Sequence, residues 1–262
     1  MSREKHMTRR EALRKMGGAT AGGMGLGIAA PNAAGVAGKG RGGGPPGGGR
    51  GLSTPAANAA DVPGLSNSAH KERKMKALAI NGSSRKDGNT ADMLNVVLAE
   101  LGKEGYETEH VQLAGSTVNA CKACFGCAGR GNCVFGNDIF QELYDKMVKA
   151  DAIILGSSTY SADVSSTLKA VIERASVVSD TNPGMFRHKV GGAVAVARRA
   201  GAMNAIDTIN HFFLNKEMFV AGSTYWNIAY GRQPGEAMKD EEAVANMKNL
   251  GQNIAWLLGR LK

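Results

Sequence analysis

What most limits the fold of this 262-residue chain is an alternation that starts at Lys76 and continues to the C-terminus. Short apolar runs take turns with segments whose large apolar residues recur every three or four positions. Lys76-Ala77-Leu78-Ala79-Ile80-Asn81 is such a run, and Ala152-Ile153-Ile154-Leu155-Gly156 is apolar throughout, the composition of strands covered on both faces. Glu107 to Leu113, Val190 to Val196, and a run beginning with Met218 to Ala221 supply three more strands. Between them, Met93, Leu94, Val97, Leu98 and Leu101 form one helical stripe behind Thr90 as N-cap, and Ile139, Leu143 and Met147 form another within Asp138 to Ala150. Leu168, Val171, Ile172 and Ala175 mark a third helix over Thr167 to Val177, and Ile206, Ile209 and Phe213 a fourth over Ala202 to Leu214. Ala243, Met247, Leu250, Ile254, Leu257 and Leu261 close the chain with a fifth. Five strands alternating with five helices predict an α/β fold, a doubly wound parallel sheet with right-handed crossovers and helices on both faces. Ligands of such sheets bind beyond the carboxyl ends of the strands, so the loops after the strands carry the functional expectations.

The first quarter of the chain breaks this pattern. Residues 1–76 hold 13 basic and 4 acidic residues, the whole formal excess of +9, while residues 77–262 hold 19 of each. A phosphate-backbone footprint needs its Lys and Arg excess on the folded domain, so a nucleic-acid-binding core is excluded. Seventeen of the 36 glycines and five of the seven prolines lie in residues 1–64, and sequence of that kind cannot bury enough apolar surface to offset its ordering entropy. One domain with a substantial core is expected over residues 76–262.

Thr8-Arg9-Arg10-Glu11-Ala12-Leu13-Arg14-Lys15, followed by the uncharged stretch Met16 to Ala37, resembles a twin-arginine export signal. After Met16 that stretch has only Met24, Leu26, Ile28 and Val36 as large apolar residues, too few for a membrane span of about 20 predominantly apolar residues. Residues 1–37 are read as the signal peptide, residues 38–75, with Gly42-Gly43-Gly44-Pro45-Pro46, as a flexible linker, and cleavage is expected near Ala37 or Ala59. Export to the periplasm or cell envelope is the expected localisation.

Gly82-Ser83-Ser84-Arg85-Lys86-Asp87-Gly88-Asn89-Thr90 joins the first strand to the first helix and offers hydroxyls, backbone amides, a guanidinium and a helix N-terminus together. A phosphate monoester needs such a set, because a helix end alone supplies only about half a charge. The loop lacks the Gly-Lys-Ser/Thr ending of a P-loop and the G-x-G-x-x-G of a dinucleotide fold, and a polar loop that merely caps a helix reads the same way. After the third strand comes Ser158-Thr159-Tyr160-Ser161, and further on Leu168-Lys169-Ala170-Val171-Ile172-Glu173-Arg174. These segments resemble the flavodoxin-like NAD(P)H-dependent FMN reductases, whose second flavin loop runs Ser-Pro-x-Tyr and then Leu-Lys-x-x-Ile-Asp-Arg; the family proline is absent here. The resemblance covers residues 76–262 and implies a flavodoxin-like sheet of order 2-1-3-4-5. It also implies that Ser83, Arg85, Asn89 and Thr90 hold the FMN phosphate and that Ser158, Thr159, Tyr160 and Ser161 line the ribityl chain and ring. Arg198, Arg199 and Gly201 would approach the edge of the ring, where an arginine stabilises the anionic reduced flavin.

All four cysteines fall within thirteen residues, Cys121-x2-Cys124-x2-Cys127-x5-Cys133, a loop with Gly126, Gly129 and Gly131 interleaved. Structural zinc, two disulfides and an iron-sulfur cluster compete for this pattern. Zinc usually takes two C-x-x-C knuckles farther apart, a domain this large has no need of disulfide staples, and a cubane takes one thiolate at each of four corners. The motif resembles the compact cysteine motif of the iron-sulfur flavoproteins, a branch of the same family, which implies a [4Fe-4S] cluster on Cys121, Cys124, Cys127 and Cys133. The histidines at 6, 70, 110, 188 and 211 are scattered, and no Ser-His-Asp order or G-x-S-x-G elbow is present. Tyr225-Trp226-Asn227, after the fifth strand, reads as core or subunit interface and stays outside the site.

The expectation is therefore an FMN-dependent oxidoreductase that passes electrons between a [4Fe-4S] cluster and flavin, with no protein acid or base strictly required. A second reading is an NAD(P)H-dependent flavin or quinone reductase with structural cysteines, and a third is a non-catalytic electron carrier. Partners would be a small-molecule or protein electron donor and acceptor, NAD(P)H being a candidate donor. The resemblance implies homodimers or homotetramers in which the cluster of one subunit faces the flavin of another.

Overall fold

The computed structural model of the protein describes residues 73–261. The signal peptide, the linker up to residue 72 and both cleavage sites lie outside the described residues. The elements run β1 (Lys76–Asn81), α1 (Asn89–Lys103), β2 (Glu107–Gln112), α2 (Phe140–Lys149), β3 (Ala152–Ser158), α3 (Ser166–Asp180), β4 (Val190–Ala197), α4 (Ala202–Asn215), β5 (Phe219–Val220), β6 (Ile228–Tyr230), a short 3-10 helix (Glu236–Lys239) and α5 (Glu241–Arg260). The sheet has the order β2-β1-β3-β4-β5 with every pairing parallel, and β6 also pairs with β4. This is the flavodoxin-like order expected from the sequence.

Two cores sandwich the sheet, and strand alternation divides the residues between them. Leu78, Ile80, Ile153, Leu155, Ala193 and Ala195 face α2, α3 and α4, while Ala77, Ala79, Ile154, Val194 and Val196 face α1 and α5. The α1 stripe Met93, Leu94, Val97 and Leu101 is wholly buried, and burial of each such side chain contributes roughly 1.5–3 kcal/mol. β3 is the central strand, flanked by β1 and β4, as its unbroken apolar run requires.

Three local expectations differ from the structure. The N-cap of α1 is Gly88, in extended conformation and with no side-chain cap, and Thr90 sits inside the first turn as a buried residue. In α5 the inward stripe ends at Leu258; Leu257 is only half-buried and Leu261 is exposed, because the apolar face follows Ile254 by four residues and not three. The fifth strand is broken in two: β5 pairs with Val190–Gly191 and β6 with Ala195–Ala197. Between them Ser223 donates to the Tyr225 carbonyl and to Asn227, local bonds that compete with a continuous ladder.

Candidate functional site

The first cavity opens where β1, β3 and β4 end. At the end of β1 the Asn81 side chain accepts from the Ser83 amide at 2.9 Å, and the Ser83 hydroxyl accepts from the Arg85 amide at 3.2 Å. Gln112, at the end of β2, donates to the carbonyls of Arg85 and Lys86 at 3.3 and 2.8 Å. The loop is thus shaped by side chains of two strand ends, and it delivers the chain to an α1 terminus that no side chain caps. The first amides of a helix have no intrahelical acceptor, so they are left for a ligand.

Ser83, Arg85, Gly88, Asn89, Thr90, Ser158, Thr159, Tyr160, Val196, Arg198, Gly231 and Arg232 line a cavity of about 290 Å³. Eight of the expected residues therefore meet in one place. Three guanidinium-bearing residues and no carboxylate line it, a balance suited to an anion. Ser158 Oγ and Thr159 Oγ1 are shielded from solvent without a hydrogen-bond partner in the protein. A buried hydroxyl left unpaired is costly, and a polyhydroxyl chain with a phosphate supplies what both lack. The residues present fit a flavin mononucleotide on these grounds.

Three expected residues fall elsewhere. Tyr160 and Asp163 exchange both backbone hydrogen bonds, at 2.8 and 2.9 Å, and Ser161 and Ala162 between them both have positive φ. This is a two-residue turn of the kind that hairpins favour, and it carries Ser161 to an exposed tip outside the cavity lining. Gly201 begins α4 with φ +86 and packs on that turn; a Cβ there would lie 2.8 Å from the Ala162 Cα. Gly201 thus backs the turn and does not reach the cavity, and Arg199 is exposed outside the lining. Asn89 lines the cavity, yet its carboxamide is committed: it donates to the Gln233 carbonyl at 2.9 Å and accepts from the Ala237 amide at 3.2 Å.

Sequence reasoning passes over Gly231 and Arg232. The Arg232 carbonyl accepts from Arg85 at 2.7 Å, and Glu236 holds the Arg232 and Gln233 amides at 2.7 and 3.0 Å. Gly231 approaches so closely that a Cβ would lie 2.6 Å from Asn89 Nδ2 and 2.9 Å from the Ala237 amide nitrogen. The turn-forming run Gly231-Arg232-Gln233-Pro234-Gly235 is the signal that could have found them, since it follows the last strand. Burial pushes the Tyr160 phenol up, but the polar groups of Ser84 and the charge of Arg85 outweigh it and hold the phenol below its ordinary value.

The second cavity, of about 90 Å³, belongs to the loop between β2 and α2. Cys121, Cys124, Cys127 and Cys133 all line it, with Asn119, Lys122, Phe125, Phe135, Arg174 and Val177 among the other walls. All four thiols are free, so no disulfide joins them. Cys127 is buried and lies 3.4 Å from the Thr181 hydroxyl, whereas Cys124 is exposed. No three His, Cys, Asp or Glu side chains among the described residues are gathered closely enough to share one metal ion. Four thiols line one small cavity, the donor type that a metal or an iron-sulfur group takes, and the Ala123 amide donates to Cys121 Sγ at 3.4 Å. This cavity shares no lining residue with the first cavity.

Among the described residues no helix is long and apolar enough to cross a membrane. The NADPH-dependent FMN reductase family matches residues 75–233 of this chain. An iron-sulfur flavoprotein of Methanocaldococcus jannaschii is 35% identical over 195 residues, covering 72% of this chain and 100% of the relative. A second iron-sulfur flavoprotein of that organism is 30% identical over 181 residues, covering 65% of this chain and 90% of the relative. Among solved structures, RosB with a bound 8-demethyl-8-formylriboflavin-5'-phosphate superposes with a TM-score of 0.56 at 19% identity, covering 71% of this chain and 80% of RosB, a likeness of fold. The sheet order, the site at the strand ends and these matches agree: the chain belongs to the NADPH-dependent FMN reductase family and is a flavin-dependent oxidoreductase.

Proposed function

We propose that the protein binds FMN in the arginine-lined cavity and a [4Fe-4S] cluster on Cys121, Cys124, Cys127 and Cys133, and that it exchanges electrons between them. The observation that carries this reading is the convergence of all four cysteines on one cavity in a domain whose strand ends form an anion cradle. Bound there, FMN supplies reversible two-electron chemistry and the cluster single-electron transfer. Ser83, Thr90, Arg85 and the uncapped α1 amides hold the phosphate. Arg232 adds a further positive charge, and its loop is fastened to the cradle by Asn89. Ser158 and Thr159 give their unpaired hydroxyls to the ribityl chain, and Tyr160 and Arg198 border the ring. The positive charge of Arg198 favours the anionic reduced form of the ring. NAD(P)H is the proposed donor, as the family name implies, and the acceptor is a small molecule or a redox protein. That the two cavities share no lining residue supports electron exchange between subunits of a homodimer or homotetramer. Arg9-Arg10 and the uncharged Met16–Ala37 stretch support export by the twin-arginine route, which moves folded, cofactor-loaded proteins. N-terminal sequencing of protein from the cell envelope tests that localisation, and an intact N-terminus counts against it.

Anaerobic purification with iron, sulfide and flavin analysis, and absorption spectra before and after dithionite, test the cofactors. About four irons and one flavin per chain are expected. Flavin without iron after anaerobic reconstitution defeats the cluster and leaves a reductase with structural cysteines.

A further inference from the structure

Arg174 closes the Leu168–Arg174 motif, yet it touches no part of the flavin cavity. It is only 2% exposed, and the side chain of its partner Asp138 is fully buried, with 2.5 Å between Nη1 and Oδ2. The guanidinium also donates to the Phe135 carbonyl at 2.8 Å and to the Asn119 carbonyl at 3.5 Å, and it lies 4.0 Å from the centre of the Phe140 ring. Asp138 accepts from the Asn119 amide at 2.8 Å, from the Asn119 side chain at 2.9 Å and from the Phe140 amide at 3.1 Å. Every one of these bonds ties residue 119, just before the first cysteine, or residues 135–140, just after the last.

We propose that the buried Arg174–Asp138 pair is the clasp that closes the cysteine loop, making both of them positioning residues for the four thiols. The loop needs one. Ala123 and Phe125 hold positive φ of 49° and 53°, conformations that cost L residues about 1–2 kcal/mol each and persist only where the surroundings enforce them. Gly129, Gly131 and Cys127 are held from the far end of α3 by Thr181 and Asn182, so the clasp and α3 hold the loop at its stems and on one flank. A buried ion pair is weak evidence for stability, since well-packed apolar residues often serve as well. Only a planar fork of donors opposite a carboxylate bonds both stems at once, which an apolar pair or a lysine does not. That the thiols then hold a cluster rests on the proposed function; that the pair gathers them does not.

The test uses the full-length protein under anaerobic conditions and compares the wild type with Arg174→Lys, with the double variant Arg174→Met/Asp138→Leu, and with Arg187→Met/Glu217→Leu, an exposed pair, as control. The first readout is the rate at which Cys127, buried in the closed loop, reacts with a disulfide reagent in metal-free protein. The others are flavin and iron per chain after reconstitution with ferrous iron and sulfide. The double variant is expected to keep its flavin, to expose Cys127 at least about tenfold faster as the stem bonds are lost, and to lose most of its iron. Arg174→Lys should fall between it and the wild type, and the control should match the wild type. Flavin, iron and Cys127 rates all equal to wild type in the double variant overturn the proposal. If the wild type takes up no iron, the cluster reading fails, and the Cys127 rates still decide the clasp. Should the double variant lose flavin through misfolding, Arg174→Lys decides: retained flavin with a faster Cys127 supports the clasp, and a wild-type rate overturns it.

Discussion

The loop after β1 and the loop after β2 both leave carboxyl ends of the sheet, and they are built in opposite ways. The first is short and is moulded by its neighbours: Asn81 and Gln112 fix its backbone, the Arg232 carbonyl holds its Arg85 side chain, and its ligand donors include the free amides of α1. The second is long, bears its chemistry entirely on side chains, and is secured at its stems by a buried ion pair and along one flank by the end of α3. A site made of backbone is fixed by the fold itself, so single side chains tune it. A site made of side chains on a long loop depends on each ligand and on the clasp.

The contrast predicts effects of unequal size. Cys124→Ser should reduce reconstituted iron from about four per chain to almost none while flavin per chain stays at the wild-type value. Flavin lost along with iron would show the two regions to be one site. Arg85→Met removes a charged donor from the cradle, and titration should show FMN bound roughly 10–100-fold more weakly with iron unchanged. An unchanged affinity would mean that backbone amides carry the phosphate by themselves. Gly231→Ala forces a Cβ against Asn89 and the Ala237 amide, so the segment must lift from α1, and FMN affinity should drop on the order of tenfold. The smallest effect concerns β2, which feeds the cysteine loop. Hydrogen bonds from Lys76 and Lys146 hold the Glu109 carboxyl below its ordinary value, so its stabilising contribution is present above the unfolded pKa and disappears as pH falls through the folded one. Glu109→Gln should cost about 0.5–1 kcal/mol at pH 7 in urea unfolding and clearly less near pH 3. Equal losses at both pH values would assign the effect to packing instead of charge.

The sheet was legible because its signals are local. β1 and α1 appear in the sequence at nearly their observed bounds, and the unbroken apolar run of β3 announces a central strand. The broken fifth strand was not legible, since the side-chain bonds of Ser223 compete with a ladder that the apolar run alone favours. At the site, Ser83, Arg85 and Thr90 could be named from one loop, whereas Arg232 reaches it from more than 140 residues away with no pattern linking the two. The resemblance places Gly201 near the edge of the ring, and what no local pattern shows is that it makes room for the Ser161–Ala162 turn. Arg174 was visible only as the end of a motif, and its contacts with Asn119, Phe135 and Asp138 became apparent once the chain was folded.

By itself the sequence determined the alternation of strand and helix, the placing of a donor-rich loop after the first strand, and the concentration of every thiol in one loop. These follow from periodicity, turn chemistry and spacing, which act over a few residues. Tertiary structure alone decided which donors share the cavity at the strand ends, that Asn89 fastens a distant loop to it, and that a buried ion pair bonds both stems of the cysteine loop. Those outcomes depend on groups far apart in the chain whose pairing is favourable only after the sheet and its helices have removed them from water.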